Sequence, residues 1–349
     1  MELRTRRALT CGAILVTVMA FAGSASAATA TDPRYDHNAH WRVVLKTPAG
    51  SDHGFIAIAA SGPRSAWAIG DIANNSTYLL HWNGKSWRRM TTPSHYAPSG
   101  VSGSGPSDVY LIGDLNPPGA PSDGEVLHWN GQAWSLVLRT QAAAILDISP
   151  ANVWVESESG YLYRWGGASW TRTRYGYAVN DIPGTVAAVG QRAWRTTIGR
   201  VGKQRHRLIV QRWTGTAWRA ISSPRPEVPG TLYPSIAASS ARNVWIEVSN
   251  RRGLHNVRLL HWNGKTWTTL FWPSGLASLA QGYLAAVGKA SVWLGNGQLL
   301  RNRSGWHLSN DGGCGIPVGV PRTNSALCAG VVNITAKGRS YGTISQSGR

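Results

Sequence analysis

Acidic residues are scarce in this chain: 16 Asp and Glu stand against 35 Lys and Arg. A field of that sign turns away cationic partners and favours anionic ones such as cell-wall polymers, acidic polysaccharide or lipid head groups. Cysteine is scarcer still, with three residues, Cys11, Cys314 and Cys328. No zinc spacing, phosphate loop or serine nucleophile elbow is present, which removes the activities built on those motifs. No metal and no cofactor is expected. Only one long apolar run occurs, near the N-terminus, so no span is expected after it.

That run reads as a bacterial secretory signal. Arg4, Arg6 and Arg7 form a positive segment, Cys11 to Ala22 is uncharged and largely apolar, and Ser24-Ala25-Ser26-Ala27 supplies the small residues of a cleavage site. Cleavage is expected after Ala27, giving a signal over 1–27, a linker over 28–38 and one domain over 39–349. Removal takes Arg4, Arg6, Arg7 and Glu2, leaving 32 basic residues against 15 acidic, or +17. In the exported chain the two remaining cysteines, Cys314 and Cys328, read as one disulfide.

What is abundant is tryptophan, 18 residues, and it is periodic. Leu80-His81-Trp82-Asn83-Gly84-Lys85-Ser86-Trp87 returns at Leu127 to Trp134 and at Leu260 to Trp267, with looser copies at Tyr163 to Trp170, Gln211 to Trp218 and Leu299 to Trp306. Asn-Gly between β-prone runs marks a hairpin, on the ground that both residues tolerate positive φ. Upstream of each hairpin lies a short strand with a central aromatic, as in Ser65-Ala66-Trp67-Ala68-Ile69-Gly70-Asp71, and before that another apolar run. One repeat therefore holds four strands, a to d. The strand-d column runs from Trp41 to Trp306, 265 residues in six steps, or about 44 per repeat, which is the length of a propeller blade. The strand b, c and d columns account for 17 of the 18 Trp, leaving Trp272 outside. Such regularity belongs to packing rather than to a ligand platform.

The expected fold is all-β, a seven-bladed β-propeller of four-stranded blades. The tight hairpins supply six blades. The seventh comes from the termini: Gly315 to Val320 as strand a, Asn324 to Gly330 as strand b with Leu327 in the Trp column, Tyr341 to Ser345 as strand c, and the Trp41 segment as strand d. Closing the ring this way removes two sheet edges that would otherwise invite aggregation. The Cys314–Cys328 pair would pin that blade.

The strand-d ending Trp87-Arg88-Arg89-Met90-Thr91-Thr92-Pro93, repeated at Trp218 to Pro224 and Trp267 to Pro273, resembles the kelch repeat of galactose-oxidase-type propellers. A single Gly70 or Gly113 stands where kelch repeats carry two glycines after strand b. The resemblance implies the propeller fold; the copper ligands of galactose oxidase are not matched, so its chemistry is not implied.

In a propeller the b–c and d–a connections share one face. Here they are the variable ones: Asp114 to Gly124, Thr196 to Arg207, Ser223 to Thr231 and Ser249 to Asn256. Binding on such folds resides in loops held by a rigid scaffold. Asp71 and Asp114 follow the strand-b glycine in adjacent repeats, with Glu156 and Glu158 nearby. Together with Asp181 they are the candidate acid/base residues at the channel mouth; turn capping by a repeated residue is the favoured explanation of Asp71 and Asp114. Arg195, Arg200, Lys203, Arg205, His206 and Arg207, joined by Arg251, Arg252 and His255, are the candidate basic patch. The repeated His81, His128 and His261 read as structural. The function expected is a secreted, monomeric, non-enzymatic binding propeller taking an anionic polymer, a glycan or a protein at the cell surface, with nucleic acid not expected; a carbohydrate-active enzyme is the alternative.

Overall fold

The computed structural model describes residues 41–47, 52–72, 76–115, 124–174, 182–189, 192–201, 205–221, 227–229, 232–250, 258–271, 284–288, 291–294, 297–302, 305–309, 315–321, 323–334 and 339–347. All belong to one compact unit, Thr31–Arg349. Every regular element among them is a β-strand, and the strands form seven sheets, six built from strands consecutive in the chain and the seventh taking in the first strand.

Sheet one comprises Asp52–Gly62, Ser65–Ile72, Ser76–Trp82 and Trp87–Met90, which are its strands a to d. Sheet two comprises Tyr96–Gly105, Asp108–Leu115, Glu125–Trp129 and Trp134–Arg139; sheet three Ala142–Ser149, Asn152–Ser157, Tyr161–Trp165 and Trp170–Arg174. Sheet four comprises Ile182–Val189, Arg192–Val201, Arg205–Trp213 and Trp218–Ala220, with Glu227–Pro229 added against its strand c. Sheet five comprises Leu232–Ser240, Asn243–Asn250, Arg258–Trp262 and Trp267–Phe271; sheet six Leu284–Val287, Ser291–Leu294, Gly297–Asn302 and Gly305–Ser309. In sheet seven, Ile316–Gly319, Ala326–Ile334 and Arg339–Ser347 are followed by Trp41–Lys46, which lies antiparallel to the third, Trp41 opposite Ser347 and Lys46 opposite Thr343.

Strand a of each sheet packs on strand a of the next, so strand a is innermost. The apolar core is not inside any sheet but between sheets. Strand b shows why. Its side chains alternate, so in sheet one Trp67 and Ile69 meet Val109, Leu111 and Leu127 of sheet two, while Ala66 and Ala68 meet Val320, Leu327 and Ala329 of sheet seven. The large aromatic points forward and the small or aliphatic residues point back. Trp67, Trp194, Trp245 and Trp293 are at most 1% exposed as a result. A buried Trp removes roughly 150–250 Å² from water, so the strand-b Trp add substantially to the Leu, Ile and Val burial between sheets.

The strand-c and strand-d Trp form tilted pairs: Trp82/Trp87, Trp129/Trp134, Trp165/Trp170, Trp213/Trp218 and Trp262/Trp267, with ring centroids 5.3–5.8 Å apart. Each pair braces its own hairpin and also covers the seam with the preceding sheet. Trp154 of sheet three, for example, meets Trp213 at 4.9 Å and Trp218 at 5.2 Å, both edge-on from sheet four.

The c–d connection differs from the sequence expectation. Trp82 pairs with Trp87, so four residues make the turn rather than two. Only the glycine takes a positive φ, +92° at Gly84, +98° at Gly131 and +98° at Gly264. The asparagine works through its side chain: Asn83 Oδ1 accepts the N–H groups of Lys85 and Ser86, both at 3.0 Å, and Asn130 and Asn263 do the same. An Asx turn, not left-handed backbone, selects asparagine here.

Cys328 is buried in strand b of sheet seven. Cys314, its expected partner, lies outside the described residues, as do the signal segment and the linker.

Candidate functional site

The b–c and d–a connections leave from one end of each sheet. Asp71 and Asp114 stand there, at the same place near the end of strand b in adjacent sheets, opposite Thr77 and Ala97 in their ladders. Both are half-buried. Glu156 does not join them: it is buried within strand b of sheet three, opposite Leu162. Glu158 is exposed at the following turn, its N–H donating to the Gln141 carbonyl at 2.9 Å. Asp181 lies outside the described residues.

Two residues beside Asp114 were not singled out by sequence. Glu125, 4% exposed, opens strand c of sheet two. Its Oε2 accepts the Leu115 N–H at 2.7 Å, and its Oε1 lies 3.7 Å from Arg139 Nη1. The Tyr96 hydroxyl donates to the Glu125 carbonyl at 3.1 Å. Burial raises the pKa of that phenol, and the charges of Glu125 and Asp114 raise it further. The group ties strand a to the start of the b–c connection. In the repeat, Glu125 occupies the column of Tyr78 and Arg258, and that change of character was its signal.

The basic candidates divide. Arg195 is buried in the wall of sheet four at 4% exposure; its Nε donates to Gln211 Oε1 at 2.6 Å, and its guanidinium sits 4.9 Å from the Trp218 ring centroid. It is therefore not part of a ligand patch. Strand position decides this, because Arg195 stands one residue after the seam Trp194 with Gln211 opposite it in the ladder. Lys203, Arg251, Arg252 and His255 lie outside the described residues.

Arg200, Arg205, His206 and Arg207 come together, but not on a loop. Strands b and c of sheet four run on through the segment expected to be irregular, with Arg200 opposite His206 and Val201 opposite Arg205. Glu227–Pro229 then adds a further strand, placing Arg205, His206 and Arg207 opposite Pro229, Val228 and Glu227. β-Branched Thr196, Thr197, Ile198 and Val201 favour this extension. The outcome is a three-stranded ribbon carrying basic residues at the b–c end.

The repeated histidines are structural. His81 stacks on Trp67 at 4.1 Å, His128 on Tyr110 at 4.4 Å and His261 on Trp245 at 4.1 Å. Burial lowers the pKa of His81. His261 Nε2 contacts Asn243 Oδ1 at 3.0 Å, and His128 Nε2 contacts Asp108 Oδ1 at 2.9 Å. Among the described side chains of the innermost strands only Asp147 is charged, so no convergent carboxylates or arginines line those strands. An open groove of about 480 Å³ lies on the outer rim between sheets one and two, lined by Arg89 and Pro93 from the end of strand d of sheet one and by Trp129, Gln132 and Trp134 from the c–d hairpin of sheet two.

The chain matches no protein-family model and no curated protein. It is similar to several solved structures. The structure of YCF48 bound to D1 peptide aligns over 90% of this chain and 97% of its own, at 15% identity and TM-score 0.51. YCF48 from Cyanidioschyzon merolae aligns over 88% and 98%, at 15% identity and TM-score 0.47. A fucose-recognising fungal lectin from Aleuria aurantia, described as a six-bladed β-propeller, aligns over 64% and 80%, at 16% identity and TM-score 0.37. Likeness at these identities concerns the fold, and the fold is an all-β propeller of four-stranded blades. A kelch or galactose-oxidase type is not among these likenesses.

Proposed function

We propose that the chain is a secreted, non-enzymatic binding propeller that takes an anionic polymer, a glycan or a protein through the b–c/d–a face. The observation that carries this reading is the basic ribbon of sheet four. Among the described sheets it alone has a fifth strand, and that strand pairs with Arg205 to Arg207. The repeat's aromatic and histidine columns are meanwhile occupied in seams. The excess of 35 basic over 16 acidic residues adds long-range attraction for a polyanion.

The reading includes a seven-bladed ring closed by Trp41–Lys46, a signal cleaved after Ala27 and a Cys314–Cys328 disulfide. Support for closure comes from the pairing of Trp41–Lys46 with Arg339–Ser347 and from the apolar seam in which Phe55, Tyr78 and Leu80 meet Leu327 and Ile344. Deleting residues 41–48 should abolish cooperative thermal unfolding rather than trim a tail.

An array of anionic and neutral glycans and polyanions tests the ligand class. Arg205→Glu with Arg207→Glu should lose at least tenfold in affinity, with a salt dependence falling alongside, while Gln132→Ala in the rim groove should not change binding. Equal binding by the ribbon variant would overturn the placement. A second reading, a carbohydrate-active enzyme, draws on Asp71 and Asp114 sharing one end of adjacent sheets. Turnover of a polysaccharide that Asp71→Ala/Asp114→Ala abolishes, with stability retained, would favour it.

A further inference from the structure

Asp147 breaks the repeat. In every sheet one strand-a residue pairs with the same early strand-b position. That residue is Ala60, Gly103, Ala188, Ala238, Ala286 or Gly319 in six sheets. In sheet three it is Asp147, opposite Val153. The innermost strands approach closely there, and a carboxyl group replaces a methyl or a hydrogen.

That carboxyl crosses the seam to sheet two. Asp147 Oδ2 accepts the Ser104 N–H at 2.8 Å, and the Asp147 N–H donates to Ser102 Oγ at 2.7 Å. Ser104 Oγ donates to Asp108 Oδ2, while Asp108 Oδ1 meets His128 Nε2 at 2.9 Å. Asp147 is 7% exposed and Asp108 8%. Asp147 Oδ1 is buried without a hydrogen-bond partner. The groups facing Asp147 across the seam are Asp108 and Tyr110 on strand b and, behind Asp108, His128 on strand c. Serine, aspartate and histidine do not form a nucleophilic triad, because the aspartate sits between the other two and the serine donates to it rather than to the imidazole.

The geometry points to a proton-operated latch: Asp147 sits in the seam between sheets two and three as a neutral acid beside Asp108, and loss of its proton sets two like charges against each other there and loosens the seam. Two buried carboxyl groups at one site cannot both ionise without strong repulsion. Burial, then the charge of Asp108, pushes Asp147 up to about 8, against the Ser104 N–H bond, which pulls the other way. The same pair raises the pKa of the Tyr110 phenol, after burial.

The sign follows from linkage. The folded chain holds a proton that the unfolded chain, with Asp147 at its ordinary 3.8, gives up. Stability from this group is therefore complete below about pH 4 and is lost as pH rises to about 8, after which the slope ends. Over that window unfolding releases up to one proton, so the unfolding constant should rise by up to about tenfold per pH unit.

Unfolding of the full exported chain, followed across pH 5 to 9 in wild type and Asp147→Asn, tests the latch. The wild-type slope should exceed the variant's by the stated factor through about pH 8. Infrared spectra of the folded wild type at pH 6 should show a protonated carboxyl band that the variant loses. Should Asn at 147 not fold, Asp147→Ala, the residue type of four other sheets, takes its place. Equal slopes, absence of the band in wild type, or its persistence in the variants would overturn the proposal. So would a wild-type profile that calcium or a chelator shifts, since that would make the pair a cation site.

Discussion

The seams between sheets two and three and between sheets five and six are built on the same node with opposite chemistry. In the second, Asn243 Oδ1 accepts from Trp245 Nε1 at 2.7 Å and meets His261 at 3.0 Å, while its Nδ2 donates to Ser239 Oγ at 2.7 Å. Ser239 in turn donates to the Gly288 carbonyl of sheet six at 2.6 Å. A neutral amide with both donors and acceptors satisfies every neighbour. In the first, Asp108 takes the asparagine's place, Tyr110 replaces Trp245 and so removes one donor, and Asp147 comes across the seam where sheet six has Ala286. The node itself is scaffold; one extra carboxyl turns the same scaffold into a titrating joint.

The largest effect expected from breaking this comparison is at its aromatic. Trp245→Ala empties a fully buried position and strips Asn243 and His261 of a partner, so it should cost about 3–5 kcal/mol in urea unfolding. An unchanged midpoint would remove the inter-sheet core from the account of stability. Asn243→Asp should come next. It carries a charge into the neutral seam, replaces a donor toward Ser239 by an acceptor, and should cost about 1–3 kcal/mol near pH 7. Burial raises such an acid in the folded state, so the cost should shrink as pH falls toward 4 and the group is protonated in both states. Thermal melts at the two pH values check the sign. Asp108→Asn makes the reverse exchange and should be smallest, within about 1 kcal/mol near pH 6, because the amide can accept from His128 and donate to Ser104 as Asn243 does. It also removes the charge that opposes ionisation of Asp147, so the stability slope above pH 6 should flatten.

Much of this architecture is legible in the residues. Tryptophan, asparagine and glycine recur with a period that leaves one strand order, and the histidine column was readable as structural because it moved with the repeat. Three features were not legible. The Asn-Gly turns keep asparagine for its side chain, which hydrogen-bond geometry reveals and residue type does not. The segment Thr196 to Arg207 looks like a charged loop, yet it pairs with itself and with Glu227–Pro229, and a ladder formed with a distant strand leaves no local trace. Arg195 counts as one more cation in a basic stretch, while the register puts it against Gln211 and Trp218. Glu125 and Asp147 did carry a signal, since each departs from its own column, but a departure acquires meaning only when the neighbouring sheet is known.

By itself the sequence determined the repeat, its four-stranded unit and the use of tryptophan as packing, because hydrophobic period and turn chemistry are local properties of the chain. Tertiary structure alone decided which arginines face solvent, where the core lies, and that Asp108 and Asp147, 39 positions apart in the chain, meet in one buried seam. The physical reason is that desolvation and charge pairing depend on what stands across a gap. In this molecule the gaps between described sheets are filled by residues of two different repeats.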